Sequence, residues 1–427
     1  MMSASDIAEI QDRLLTEAVR YAYDRSPYYR RKFDCLGFAP SVVKGVNDLE
    51  KLTITDRKDF QENNWQFLAV SRHDVAEVVS TTGTSGEPAF IAMTSRDLMR
   101  LACNEERSFR SAGVVRGDLF HLAVTCDNLF IAGIAYYEGL KMLGASVSRI
   151  GPQNIPRHLD LIMRLKPVGM VAVPSFMVHM GRRMAERGLA AEDIGLKKVV
   201  LIGDSIRDAD LKINALGGLI ESAFGKIFYS TYGITEAQLS FFECAKHQGY
   251  HSHPDFILAE ILDDEGNVLP DGVAGELALT TLQVEGMPLI RYRTGDITFK
   301  IAGLCSCGRN SERIGPILGR KCQRLKYKGV TLYPKTIENA LLGIKGVVNY
   351  QIEAYTGDDR TDAIVLRVGA HANVNGLETE LQDALLAKAR VRPHIEIESP
   401  EEVEKRLYEG GGRKAVTFRD RRNKTYE

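Results

Sequence analysis

At 427 residues and 44% hydrophobic content, the chain is too long for one ordinary core and predicts two domains. Its 55 Lys and Arg nearly balance 56 Asp and Glu, a formal charge of −1, which argues against a basic surface for nucleic acid or an anionic membrane. No apolar run reaches the roughly 18–20 residues of a membrane span, the seven cysteines are an odd number, and MMSASDIAEIQDRL has no secretory pattern. The expectation is a soluble cytoplasmic enzyme with reduced thiols.

In chain order, Ile7, Ile10, Leu14, Leu15, Ala18 and Ala22 recur at helical spacing and predict an amphipathic helix ending near Ser26-Pro27. Two short strand-like runs, Val78-Val79 and residues 89–93, flank Thr81-Thr82-Gly83-Thr84-Ser85-Gly86. Hydroxyls interleaved with glycines offer O–H and N–H donors that can wrap an anion. The same residues also suit an ordinary hairpin loop. No Gly-Lys-Ser/Thr follows, so it is not a Walker loop. From residue 119, apolar runs at 119–125, 145–150, 169–173 and 198–202 alternate with helical stretches at 133–143, 157–165 and 176–187. That alternation predicts a layered α/β domain with buried parallel strands and chemistry at the strand ends.

Tyr232-Gly233-Ile234-Thr235-Glu236 follows the apolar Ile227-Phe228. A planar ring beside glycine offers a stacking face, and the carboxylate can hold Mg²⁺ on phosphate oxygens. A strand end with a charged helix start is the plainer account. Tyr292-Arg293-Thr294-Gly295-Asp296 places a carboxylate where it can accept both hydroxyls of a ribose, although a turn with a paired arginine would look alike. Cys244, His247, His251, His253, Cys305 and Cys307 gather in two loops. Three sulfurs with one imidazole would close a tetrahedral zinc site, but Cys-x-Cys is tighter than the usual spacing, and unliganded cysteines are the alternative.

The texture changes at Gly319-Arg320, giving domains 1–319 and 320–427. Strands at 347–355, 362–368 and 394–398 with a helix at 376–389 predict a small α+β domain. Near the end, Glu409-Gly410-Gly411-Gly412-Arg413-Lys414 is either a solvated basic tail or a flexible approach for a mobile cation.

Taken in this order, these segments resemble the adenylate-forming superfamily of acyl- and aryl-CoA ligases, luciferases and peptide-synthetase adenylation domains. Ala22-Tyr23-Asp24-Arg25-Ser26-Pro27-Tyr28-Tyr29-Arg30, Pro174-Ser175 and the cysteine pattern are similar to the phenylacetate–coenzyme A ligase branch, and the likeness spans nearly the whole chain. The resemblance implies a large layered α/β domain followed by a small mobile C-terminal lid. It assigns ATP binding to Thr81, Thr82, Gly83, Thr84, Ser85 and Gly86, adenine stacking to Tyr232 beside Gly233, phosphate or acyl contact to Thr235, Mg²⁺ to Glu236, and ribose to Asp296 and Arg320. Lys414 becomes the adenylation lysine, with Asp420 and Arg422 also in place. Asp204 and Ser205 fall beside the nucleotide, and Phe130, Ala132, Ile134, Tyr136 and Gly203 in the acyl pocket. Cys244, His251, Cys305 and Cys307 become ligands of a structural zinc that takes no part in chemistry.

Four departures stand out: Glu87 replaces a lysine, Asp204 stands one place before the usual glutamate, and Cys322 and Gln323 replace the hinge aspartates. The implied reaction uses Mg·ATP to adenylate a carboxylic acid, with aromatic acids favoured, and then transfers the acyl group to coenzyme A. Delivery to a carrier-protein thiol or an amine is a rival. So is a nucleotide-binding module without turnover. A homodimer is left open.

Overall fold

The computed structural model describes residues 2–81, 88–342, 344–357, 361–371, 376–409 and 415–422. The chain divides into two compact units, the larger holding Met1–Ile213 and Gly217–Ile317, the smaller Asn214–Leu216 and Leu318–Glu427.

Helix α1 (Ala4–Arg25) opens with a capping box: Ser3 Oγ accepts the Asp6 amide at 3.1 Å, and the Asp6 carboxylate accepts the Ser3 amide at 3.0 Å. Leu14, Leu15, Ala18, Val19 and Ala22 form its buried stripe. The helix stops at Ser26 because Pro27 has no amide proton to continue it and instead begins α2 (Pro27–Cys35). After α3 (Arg57–Glu62), β1 (Val75–Ser80) and β2 (Phe90–Thr94) pair antiparallel. The chain then runs through α4 (Ser95–Ser111), β3 (Leu119–Leu122), α5 (Ile131–Leu143), β4 (Ser146–Arg149), α6 (Ile155–Leu165), β5 (Gly169–Ala172), α7 (Pro174–Glu186), α8 (Ala191–Ile194), β6 (Lys198–Leu201), α9 (Ala215–Phe224) and β7 (Phe228–Ile234).

Strands β7, β6, β5, β3 and β4 lie side by side in parallel. Their apolar runs are nearly continuous because both faces are covered. Met170, Ala172, Val199 and Leu201 pack into one cluster, while Phe120, Leu122, Val171 and Val200 pack into another. Each buried Val, Leu, Met or Phe among them contributes about 1.5–3 kcal/mol. The sheet continues antiparallel through β8 (Leu239–Glu243) and β9 (Tyr250–His251). A second sheet carries the antiparallel meander β10 (Ile257–Leu262), β11 (Gly275–Thr281) and β12 (Tyr292–Thr298), and β13 (Arg313–Ile314) returns to pair with β9.

Two features of α4 position the site. Gly139 of α5 lets the two helices touch, since a Cβ there would sit 2.4 Å from Glu105 Cβ. Arg100 is buried and donates to the carbonyls of Leu282, Gln238 and Phe256, tying three distant segments to the helix.

The smaller unit contains β14 (Gly319–Arg320), β15 (Leu325–Tyr327), β16 (Val330–Leu332), α10 (Pro334–Leu341), β17 (Val347–Thr356), β18 (Asp362–Ala370), α11 (Leu377–Ala389), β19 (His394–Glu398), α12 (Pro400–Leu407) and β20 (Phe418–Asp420). One sheet runs β19-β18-β17-β20. The C-terminal charge cluster is therefore not merely a solvated tail. Strand β20 lies parallel to β17, Arg421 pairs with Glu353 at 2.8 Å, and Arg422 pairs with Asp420 and Asp362. Among the described residues, no helix is long and apolar enough to cross a membrane.

Candidate active site

Both motif tyrosines sit on strands, with Thr235 and Glu236 in the turn that follows β7, and each tyrosine serves the other motif's carboxylate. Tyr232 lies on β7 and donates its hydroxyl to Asp296 Oδ2 at 2.8 Å. Tyr292 opens β12 and donates to Glu236 Oε1 at 3.2 Å. A bulge aims Asp296. Opposite Glu276 and Ala278, β12 presents Ile297 and Arg293, so residues 294–296 leave the ladder. Gly295 makes the turn at φ +78°, a conformation that costs glycine little.

Both carboxylates are held by neutral phenols. Burial pushes the Tyr232 and Tyr292 hydroxyls well above their ordinary range, and the adjoining carboxylates push them further. Burial also raises Glu236, opposed mainly by the charge of Arg57 at the start of α3. A buried carboxylate with one oxygen fixed by a phenol suits a hard divalent cation that shares its remaining ligands with phosphate oxygens.

Beside this pair lies a cavity of about 120 Å³. Its wall comes from Leu101 and Glu105 of α4, from Phe130, Ile131, Ala132, Ala135 and Tyr136 at the start of α5, and from Ile202, Gly203, Gly233, Ile234, Thr235, Leu239 and Ser240. Of the expected acyl-pocket residues, Phe130, Ala132, Tyr136 and Gly203 line it. Ile134 does not: the helical turn places it on another face of α5, where it lines a separate cavity with Leu98 and Met99. Asp204 is exposed, whereas the Ser205 hydroxyl turns back to the Arg207 carbonyl at 3.0 Å.

Thr81 closes the β1–β2 hairpin: its amide and Oγ1 bond the carbonyl and amide of Ala89, each at 3.0 Å. Thr82, Gly83, Thr84, Ser85, Gly86, Glu87 and Lys414 lie outside the described residues. Arg320 belongs to the smaller unit, on β14, with Cys322 and Gln323 in the short turn that follows it.

The ligating atoms of Cys244, His251, Cys305 and Cys307 all lie within 4.8 Å of one another. Cys244 and Cys305 sulfurs are 3.7 Å apart, far beyond a disulfide bond, and Cys307 Sγ is 3.6 Å from His251 Nε2. A tetrahedron with Zn–S near 2.3 Å and Zn–N near 2.05 Å has edges of about 3.8 Å and about 3.6 Å, which these two spacings match. The other imidazole nitrogen of His251 is fixed by Ser311 Oγ at 2.9 Å, leaving Nε2 toward the sulfurs. His253 instead faces Ser108 at 3.3 Å.

Sequence reasoning missed three contributors: Glu105, Ser240 and the Tyr292 hydroxyl. A signal for Glu105 was present, because Leu101, Ala102, Glu105, Ser108 and Phe109 fall on one helical face and all are buried.

Residues 37–285 match the AMP-binding enzyme family, and residues 329–422 match the AMP-binding enzyme C-terminal domain. The phenylacetate–coenzyme A ligase of Thermus thermophilus is 34% identical over 80% of this chain and 77% of its own. That of Aromatoleum evansii is 30% identical over 90% and 86%. Among solved structures, 2-hydroxyisobutyryl-CoA ligase in its postadenylation state superposes with a TM-score of 0.84 at 22% identity, over 98% of this chain and 90% of that one, which speaks for the fold. The chain belongs to the AMP-binding, adenylate-forming enzyme family, in the company of the phenylacetate–coenzyme A ligases.

Proposed function

We propose that this chain is an AMP-forming acid–thiol ligase that activates a small aromatic carboxylic acid with Mg·ATP and passes the acyl group to coenzyme A. The observation that carries this reading is the reciprocal pairing of Tyr232 with Asp296 and of Tyr292 with Glu236 beside an acyl-sized cavity. Gly233, Ile234 and Thr235 both belong to the tyrosine motif and line the cavity, so an acid held there would meet a nucleotide on β7.

In the first step a carboxylate oxygen attacks the α-phosphorus and pyrophosphate leaves. In the second a thiol sulfur attacks the acyl carbon and AMP leaves. Asp296 accepts the ribose hydroxyls, Tyr232 and Gly233 border the base, and Thr235 contacts phosphate or acyl oxygen. Glu236 would hold Mg²⁺, which when bound supplies charge for the departing pyrophosphate. Lys414 and Arg320 carry their family roles, adenylation cation and ribose contact. Zinc on Cys244, His251, Cys305 and Cys307 would be structural, because four protein ligands leave no open position. No protein nucleophile is needed, since catalysis of this kind is positioning and electrostatics.

The volume favours a small acyl group: about 120 Å³ is just under the roughly 150 Å³ apolar cavity that takes benzene. Carboxylate-dependent exchange of labelled pyrophosphate into ATP, run across benzoates, arylacetates and short aliphatic acids, tests the first step. AMP release on adding coenzyme A tests the second. Absence of exchange with every acid would overturn the proposal, and exchange without AMP release would redirect the acceptor to a carrier thiol or an amine.

A further inference from the structure

The acyl cavity contains a carboxyl group that the two-step reaction does not use. Glu105 lies on α4, is 1% exposed, and lines the cavity together with Tyr136 and Ser240. Its Oε1 accepts Ser240 Oγ at 2.8 Å and Asn104 Nδ2 at 3.0 Å. Its Oε2 is buried with no hydrogen-bond partner among the described residues. Burial pushes Glu105 up to about 7, with only these two hydrogen bonds opposing and no cation among the influences. The Tyr136 hydroxyl bonds Thr231 Oγ1 at 3.2 Å, and most of the remaining wall is apolar. A carboxyl oxygen left unmatched in so apolar a site is costly, unless the bound molecule completes it.

We propose that Glu105 selects the substrate, taking a carboxylic acid that carries a hydroxyl, or another hydrogen-bond donor, at the end remote from its carboxyl group. This rests on the ligase reading and narrows its substrate class. The burial of its wall gives the orientation. Gly203 and Gly233 are exposed, Gly233 directly following Tyr232, whose hydroxyl meets Asp296, while Glu105, Tyr136 and Ser240 are buried. The carboxyl group to be activated must lie toward the glycines, so the far end of the acid meets Glu105. An unsubstituted acid would press C–H against Oε2 and leave it unpaired. A hydroxyl donates its proton there and replaces the water it gave up on entry. Gly139 lets α5 approach α4 closely at Glu105, since a Cβ there would sit 2.4 Å from Glu105 Cβ.

The test compares matched acids that differ only in the remote donor: phenylacetate with 4-hydroxyphenylacetate, benzoate with 4-hydroxybenzoate, butyrate with 4-hydroxybutyrate. For each, kcat/KM of pyrophosphate exchange is measured on the full-length protein and on Glu105→Gln and Glu105→Leu. A site whose buried acceptor is completed by the substrate should favour the hydroxylated member of at least one pair by about 10- to 100-fold. Glu105→Leu should reverse that preference, because an apolar wall no longer asks for a donor. Glu105→Gln keeps the shape and part of the hydrogen bonding, so it should fall between, and it decides the matter if the leucine variant does not fold. Equal kcat/KM within all three pairs, or a preference that survives both substitutions, overturns the assignment while leaving the ligase reading intact. No exchange with any acid sinks the ligase reading, and this inference with it.

Discussion

Replacing Cys305 by serine should weaken metal binding and lower the melting temperature by a few degrees before it costs activity. The four donors join two segments: Cys244 and His251 come from the β8–β9 region, Cys305 and Cys307 from the connection before β13. The tie between Cys244 and Cys305 spans 61 positions. Treated as a cross-link, a loop of that length restrains the unfolded chain by about 4 kcal/mol. The larger unit has about 310 residues, and an unfolding entropy near 2.1 cal/mol/K per residue makes one degree worth about 0.65 kcal/mol. Loss of the whole tie should therefore lower Tm by about 6 °C. In Cys305→Ser, Cys307 still reaches across from the same segment, so roughly half that drop is expected. The Cys305→Ser/Cys307→Ser double variant should show all of it. Elemental analysis should find about one zinc per chain in the unaltered protein. Calorimetry with and without a strong chelator should then show a chelator-induced drop that is absent from the double variant. An unaltered protein without zinc, or a Cys305→Ser variant with unchanged Tm and metal content, would refute the reasoning.

Asp296→Asn keeps a partner for Tyr232 but removes the charge that strengthens hydrogen bonds to ribose; KM for ATP should rise about 10-fold with a smaller effect on kcat, and an unchanged KM would count against the ribose role. Because burial raises Glu236 and only its ionised form binds a cation, pyrophosphate exchange should lose rate on the acid side at a higher pH than an ordinary carboxylate would give. Raising Mg²⁺ should move that limb to lower pH, and Glu236→Gln should abolish the limb and cut kcat by at least about 100-fold. Glu105 titrates at about 7 when folded against an ordinary 4.5, so between these values the folded chain holds a proton that the unfolded chain releases. Stability should accordingly fall by about 3 kcal/mol as pH rises from about 4.5 to about 7 and level off above; denaturant titrations at pH 5 and pH 8 should show Glu105→Gln flattening the difference.

The layered α/β unit was legible because its strands obey a simple physical rule. A parallel strand covered on both faces cannot afford alternation, so residues 119–125, 169–173 and 198–202 appear as largely apolar runs, interrupted only by His121, Thr125 and Lys198, and each contains an observed strand. Turn chemistry was legible for the same reason, as Pro27 cannot extend α1. What escaped was pairing at a distance. Strand β20 consists of Phe418–Asp420 within a run of charges, and its pairing with β17, with Glu353 and Asp362 meeting Arg421 and Arg422, lies far away in sequence. Helices α10 and α12 are eight residues each, too short for periodicity to separate from loop. Ile134 lines a neighbouring cavity instead, since the α4–α5 contact separates two cavities and a pocket contact depends on which of them a helical position faces.

The site divides along the same line. Motif order identified the residues, but not why both motifs begin with tyrosine. Read separately, Tyr232 is a stacking face and Tyr292 merely opens the ribose segment; in space each phenol fixes the carboxylate of the other motif. The choice of phenol over a basic side chain has a chemical consequence. A lysine or arginine in direct contact would neutralise the carboxylate it positioned, and a neutralised pair is a poor ligand for Mg²⁺ and a weaker acceptor for ribose hydroxyls. A phenol whose own ionisation burial has pushed far upward holds the carboxylate by one hydrogen bond and leaves its charge in place. The reciprocal arrangement also makes the two strands interdependent: displacing β12 from β7 breaks both bonds at once, so the bulge at Gly295 and the end of β7 must be right together for either carboxylate to be placed.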